Sequence, residues 1–401
     1  MALTPEQEEL VVALISRTQK TISQLEAETA LLGDKIFPVE NSEGTFALTV
    51  DELRDYILKY QDRKNLFING AFDIWPEGAS FSSVANGTYT AEGWVYAKSG
   101  AMVHTISRSS DVPTVAEAGR KFNHSLKISC TTVDASIASG DYAVIEQRVE
   151  GYNWLALAQK AGTKGIWVKA TKIGTYGVYL KNSGGDRSYV GEITINASNT
   201  WEKKEVNFSA SPSAGTWDYT NGIGVSVGIT LAAGSTYQTT KDAWQTGGYL
   251  TTSNQVNACD STLNDFYICG AQLEKGSVAT AFEDRTIQEE IMLCQRYFEK
   301  SFPYSVVPAQ NAGTAGTLAT IAPATNARVA VRWDFKVTKR SSPSITTYNP
   351  SAANANFSAN PLTPIVETAD SSEINAWIVS TPANTTAANG YFIHATANSR
   401  L

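Results

Sequence analysis

Carboxylates that stand in pairs are the first residues to weigh for chemistry. Cutting a glycosidic bond needs an acid and a base about 5–10 Å apart. Glu146 and Glu150 share one face of a segment that alternates with period two, and Asp260 and Asp265 flank a turn. No repeated coil of the kind that builds a long β-helix accompanies either pair, so surface charge is the simpler expectation. His104, His124 and His394 are far apart and no Gly-x-Ser-x-Gly elbow occurs, so no Ser/His/Asp set can be singled out. Cys130, Cys259, Cys269 and Cys294 contain no Cys-x-x-Cys spacing. They are expected to be buried thiols rather than zinc ligands, with a Cys259–Cys269 disulfide as the alternative. The glycines of 222–228 resemble a phosphate loop but lack its lysine and following helix, and are expected to clear space for packing on a strand. Neither catalysis nor a metal or cofactor is expected.

Aromatic residues carry more information, with nine Trp and 17 Tyr. Alternation puts Trp167 beside Lys169, Tyr179 beside Lys181, and Trp201 beside Lys203 and Glu205, each on the more polar face of its strand. Rings held flat on a sheet stack against the apolar face of a sugar, and the same pattern would serve a contact between protomers. A third reading has a helical insertion at 152–160, with Trp154, covering all three. Trp217, Tyr219, Trp244 and Tyr249 form a second candidate group in Gly/Thr/Ser-rich loops, where binding residues often sit, although Trp244 could simply pin its loop. Tyr348, Trp377 and Tyr391 are flanked by strand signals and are expected in a core.

The elements that must position these residues divide into five segments. The 401 residues are 42% apolar with a net charge of −7, which allows sizeable cores and argues against a polyanion such as nucleic acid as partner. Lys336, Lys339 and Arg340 form the densest basic cluster, read as a solvated strand end. The acidic start does not resemble a secretory signal, and no apolar run is long enough to span a membrane. Residues 1–33 predict a helix opened by Thr4, Pro5 and Gln7 and stopped by Gly33. Its narrow stripe has Ile15 and Ile22 at heptad position a, and Val11, Leu25 and Leu32 at d. Such a stripe needs partner helices and predicts a coiled coil through those five residues; Thr18 and Thr29 leave the number of strands open. Residues 34–64 read as a connector with a short helix opened by Thr49 and Glu52. Residues 65–282 show eight alternating segments with hairpin-length gaps, which predicts an antiparallel β-sandwich of jelly-roll type. Residues 283–302 carry a linking helix opened by Thr286 and Glu289, and 303–401 read as a second, smaller β domain with surface loops near 351–360.

The stretch Asn65-Leu-Phe-Ile-Asn-Gly-Ala-Phe-Asp-Ile-Trp75-Pro-Glu-Gly, followed by Tyr89-Thr-Ala-Glu-Gly-Trp94, resembles the opening of phage tail-fibre proteins with a carbohydrate-binding-like jelly roll. Gly270-Ala-Gln-Leu-Glu-Lys-Gly-Ser-Val-Ala-Thr-Ala-Phe282-Glu-Asp-Arg285 resembles its close, and Cys294-Gln-Arg-Tyr297-Phe, Ile145-Glu-Gln-Arg-Val-Glu-Gly151 and Ile166-Trp-Val-Lys169 fit the same group. The resemblance covers residues 65–300. It implies a virion fibre or receptor-binding protein, commonly homotrimeric, that meets a host-surface glycan or protein and has no catalytic residues. The expected partners are copies of itself, other virion proteins through residues 1–60, and the host envelope. A glycan-degrading tailspike and a purely structural head or tail fibre are the alternatives.

Overall fold

The computed structural model describes the backbone of Ile36–Asn41 and Gly44–Thr49, and then residues 65–359 and 362–401. The expected coiled-coil helix, with Val11, Ile15, Ile22, Leu25 and Leu32, and the short helix after Thr49 lie outside the described residues. Within the expected connector, β1 (Ile36–Asn41) and β2 (Gly44–Thr49) pair antiparallel, from Ile36 opposite Thr49 to Asn41 opposite Gly44. That ladder is absent from the sequence reading. Asn65–Leu401 forms one compact unit of its own.

This unit is mainly β. It begins with β3 (Ser80–Phe81), β4 (Thr88–Tyr89), β5 (Trp94–Ser99), β6 (Val103–Ser109) and the one-turn helix α1 (Val115–Ala118). Next come β7 (Ser125–Thr132), β8 (Tyr142–Glu150), helix α2 (Gly151–Trp154), β9 (Gly162–Ala170), β10 (Gly174–Asn182), β11 (Arg187–Ile195) and β12 (Glu202–Phe208). Strands β13 (Ile223–Ala233), β14 (Trp244–Thr246) and β15 (Asp265–Lys275) complete the large sandwich. Helix α3 (Ile287–Gln295) follows, and Thr286 and Glu289 cap each other reciprocally at its start, as their spacing predicts.

Among the described residues, one antiparallel sheet has the order β14-β11-β10-β13-β8-β5-β4 and the other β12-β9-β15-β7-β6-β3. Alternation decides what lies between them. Val178 and Leu180 on β10, Val225, Val227 and Ile229 on β13, Ile166 and Val168 on β9, and Ile268 and Leu273 on β15 meet in a single core. Fully burying such a side chain contributes about 1.5–3 kcal/mol each.

The outer faces of the two sheets differ. On the seven-stranded sheet, the chain on either side of β14 folds back as a second layer: Leu250, Tyr237 and Tyr249 pack on Ala97, Val144, Tyr179 and Val190. Gly228 makes room for this, because a Cβ there would lie 2.5 Å from the Tyr179 ring. Strand β13 is consequently buried on both faces over nearly its whole length. On the six-stranded sheet the outward Lys169, Tyr267 and Cys269 of β9 and β15 are buried as well, while Trp167 and, at the edge strand β12, Trp201, Lys203 and Glu205 keep exposure.

The remaining strands are β16 (Phe298–Lys300), β17 (Leu318–Ile321), β18 (Ala330–Asp334), β19 (Ser344–Tyr348), β20 (Val366–Ser371), β21 (Asn375–Ser380) and β22 (Gly390–Asn398). They build a four-stranded sheet in which β22 pairs with β16, β17 and β19, and a three-stranded sheet ordered β18-β21-β20. Val331, Trp333, Ala376 and Ile378 from one sheet and Tyr391, Ile393 and Ala395 from the other form their shared core. Buried charges tie this smaller sandwich to the larger one. Arg400 pairs with Glu77 and Glu92 and lies over the Phe298 ring, while Arg296 and Tyr297 both donate to Glu150. The same region leaves a small, partly open cavity of about 20 Å³, room for a water rather than a ligand.

Candidate functional site

The outer face of the six-stranded sheet gathers two of the expected aromatics. Trp167 and Lys169 alternate with the inward Ile166, Val168 and Ala170 along β9. Across the ladder, Trp167 faces Lys203 of β12 on one side and Cys269 of β15 on the other, and Lys169 faces Tyr267. Trp201 enters β12 just ahead of Glu202, and its ring lies 5.6 Å from the Lys169 ammonium and 6.2 Å from the Tyr267 ring. Trp167 and Trp201 are both half-buried, each with part of its ring toward solvent.

Electrostatics hold this face rigid. The Lys169 ammonium sits 4.5 Å above Tyr267 and pairs with Asp111, which also accepts the Trp201 indole N–H at 2.9 Å. Burial pushes the Asp111 carboxyl upward, but the hydrogen bonds from Lys169 and Trp201 outweigh it and hold the group below its ordinary value. Burial likewise works against the Lys127 ammonium, and its hydrogen bond to Asp265 at 2.9 Å prevails, raising it. Both groups therefore stay charged at neutral pH. With the Trp201 N–H occupied, a ligand would meet the flat of the ring. A cation–π contact contributes about 0.5–2 kcal/mol, according to solvent exposure.

A bulge aims Trp167. The register of β15 against β9 shifts between Cys269 and Gln272, and Gly270 there has φ +57°. A Cβ at Gly270 would come within 2.7 Å of the Phe122 ring and 3.3 Å of Trp167. Phe122 packs edge-on to Phe282, and Arg120 lies over both rings, bounding the platform at this end.

Other expected residues fall elsewhere. Tyr179 is corrected outright: it is fully buried beneath the chain on either side of β14 and its hydroxyl donates to Glu146 at 2.6 Å. Alternation does turn it away from the main core, but a second layer covers that face. Tyr249 belongs to the layer that buries it. Trp217 stacks parallel on the buried Trp154 at 5.9 Å and meets Trp244 edge-on at 5.7 Å, which in turn meets Tyr189. Their indole N–H groups donate to the backbone, Trp217 to Ala214 and Trp244 to Ser209, so this stack pins its loops. Tyr219 packs half-buried against the same core. Trp154 thus covers Trp217, and neither Trp167, Tyr179 nor Trp201.

The carboxylate pairs are also corrected. Glu146 and Glu150 are buried, not surface charges; Arg148 and Tyr179 bind the first, Arg296 and Tyr297 the second. Asp260 and Asp265 are paired with Lys172 and Lys127. All four cysteines are buried thiols. Among the described residues no cluster of His, Cys, Asp or Glu is arranged to hold a metal, and no helix is long and apolar enough to cross a membrane. Tyr267 and Asp111 were not among the expected site residues. The alternation of 265–273, which sets Tyr267 opposite Phe266 and Ile268, contains the signal for the first; nothing local marks the second.

No family model and no curated protein matches the chain. Among solved structures it is similar to the enzymatically active domain of a bacteriophage CBA120 tailspike protein, at 16% identity and TM-score 0.27, over 49% of this chain and 21% of that one. It is similar to an arabinose-bound α-L-arabinofuranosidase at 13% identity and TM-score 0.30, over 53% and 26%. A family 11 carbohydrate-binding module of Clostridium thermocellum aligns at 12% identity and TM-score 0.26, over 50% and 98%. The chain thus spans about a fifth and a quarter of the first two. TM-scores this low carry no functional assignment.

Proposed function

We propose that this chain is a non-catalytic, glycan-binding fibre protein of a bacteriophage virion, with a jelly-roll domain that meets the host surface. One observation carries the binding half of this reading. Trp167 and Trp201 stand half-buried, with part of each side chain toward solvent, on the outer face of the six-stranded sheet, over the buried Lys169 and Tyr267 and beside the exposed Lys203. Rings fixed on strands can stack on apolar sugar faces with little loss of side-chain entropy, and the exposed Lys203, beside Glu205 at 3.2 Å, can add a donor for hydroxyls, while the buried Lys169 is held by Asp111 and steadies the rings. The ordered motifs of 65–300 support a place on a virion. Attachment through residues 1–60, and assembly as a homotrimer through Val11, Ile15, Ile22, Leu25 and Leu32, are parts of the same proposal.

The ion pairs of Glu146, Glu150, Asp260 and Asp265 weigh against a glycan hydrolase, since each carboxylate already has a cation. Incubation of the full chain with capsule or lipopolysaccharide of a susceptible strain separates the readings. The expected result is retention on the polysaccharide with no new reducing ends. Product that one carboxylate substitution abolishes would overturn the proposal.

A further inference from the structure

The smaller sandwich presents a tryptophan that core packing does not use. The sequence of β21 suggests that Trp377 is buried, yet it is 47% exposed, because Ala376 and Ile378 take the inward positions and turn Trp377 outward. It stands on the central strand of the three-stranded sheet, directly between Arg332 of β18 and Asp370 of β20. Ala330, Val379 and Thr368 lie one step along the same face, and Asn375 with Asp334 one step the other way. Small and polar neighbours therefore leave the indole standing clear.

Its polar frame is unspent. Arg332 is steadied by Asp334, which accepts from Nε at 2.7 Å, while its two terminal amino groups have no hydrogen bond among the described residues. The Asp370 carboxylate and the Trp377 indole N–H also have none among them. At Trp201, Trp217 and Trp244, by contrast, the N–H is satisfied within the protein.

We infer that Trp377, Arg332 and Asp370 form a second carbohydrate site, in which the indole stacks on one pyranose ring while the guanidinium and the carboxylate bracket its hydroxyls. Complementarity singles out this occupant. A stable contact with another protein, including a second copy of this chain, buries on the order of 800 Å² per partner and is poor in charge at its centre. Here a single ring is flanked by charges on both neighbouring strands. A vicinal diol matches that frame: carboxylate oxygens accept from two hydroxyls and guanidinium amino groups donate to them. The inference rests on the glycan-binding reading of the chain, and would make each copy bivalent.

The test uses the full chain labelled with 5-fluorotryptophan and observed by fluorine NMR. Trp377→Phe and Trp201→Phe assign two resonances by their disappearance. Glucose, galactose, mannose and N-acetylglucosamine, each added at millimolar concentrations, are the probes. The expected result is a saturable shift of the Trp377 resonance with at least one sugar. Asp370→Asn and Arg332→Gln are expected to weaken that binding about tenfold, as loss of a central polar contact does. If Trp201 responds and Trp377 stays silent to all four, this site is overturned and the first platform stands. Silence of both overturns both. A Trp377 resonance that changes with protein concentration and not with sugar identifies a contact between copies, and overturns the inference.

Discussion

Lys164 occupies a position that alternation alone would give to an aliphatic residue. It is fully buried in the large sandwich, its ammonium near the Phe67 ring and 3.4 Å from the Gly228 carbonyl, with no carboxylate partner. Burial lowers its pKa from 10.5 to about 7. Between those values the folded chain binds fewer protons than the unfolded one, so stability rises with pH across the window, and the cost of the buried charge is complete below about pH 7. Lys164→Met should therefore stabilise the protein by roughly 2–5 kcal/mol near pH 6, with the gap closing as pH approaches 10. Urea unfolding of both proteins at several pH values measures this, and a gap that does not change with pH contradicts it. Tyr179 makes a second point at this scale: its outward direction was legible from the period of β10, and its burial was not. No local pattern announces that the chain on either side of β14 will return as a second layer, because that segment is Gly/Thr/Ser-rich and has no period of its own.

Most longer strands of the large sandwich were legible as elements, β7 through β13 and β15, but β5 and β6, six and seven residues long, were not read. The pairs of residues that form β3 and β4 are too short to show a period, and the polar β20 (Val-Glu-Thr-Ala-Asp-Ser) lacks an apolar stripe. In β21 the residue types mislead while the period does not. A tryptophan suggests core, yet Ala376 and Ile378 can face inward only if Trp377 faces out. The outward positions of Trp167 and Trp201, which make up the proposed platform, were visible in the same alternation. Its third ring, Tyr267, and its anchor, Asp111, depend on which strands become neighbours, and that is a property of topology. The bulge at Gly270 links element to site. Alanine there must adopt the left-handed region, at a cost of about 1 kcal/mol, and must displace Phe122 as well. Gly270→Ala should destabilise the protein by roughly 2–4 kcal/mol and also weaken glycan retention through the shift of Trp167. Denaturant midpoints, together with retention measured well below the unfolding transition, check both parts. Unchanged retention would detach the bulge from the site.

At the scale of the whole molecule, multiplicity decides whether weak single-ring contacts suffice. Linking several sites raises avidity by about 10²–10⁴ without any new contact. The proposed trimer makes this testable: light scattering of the intact chain should report three copies, and removal of residues 1–33 should reduce the number. A monomer in both forms contradicts the proposal, and a trimer in both moves the contact to residues 34–401. Firm coupling of the two sandwiches through Arg400, Glu92, Arg296 and Glu150 would let the platforms of one chain act as a rigid pair. The central claim remains the proposal that Trp167 and Trp201, on the outer face of the six-stranded sheet, bind glycan. Its most direct test is calorimetric titration of the full chain with purified surface polysaccharide of a susceptible strain, comparing wild type, Trp167→Ala/Trp201→Ala and Tyr179→Phe. The account predicts that the double variant loses about tenfold or more in affinity while remaining folded, and that Tyr179→Phe, altered only beneath its covering layer, binds as wild type does. Undiminished binding by the double variant would contradict it.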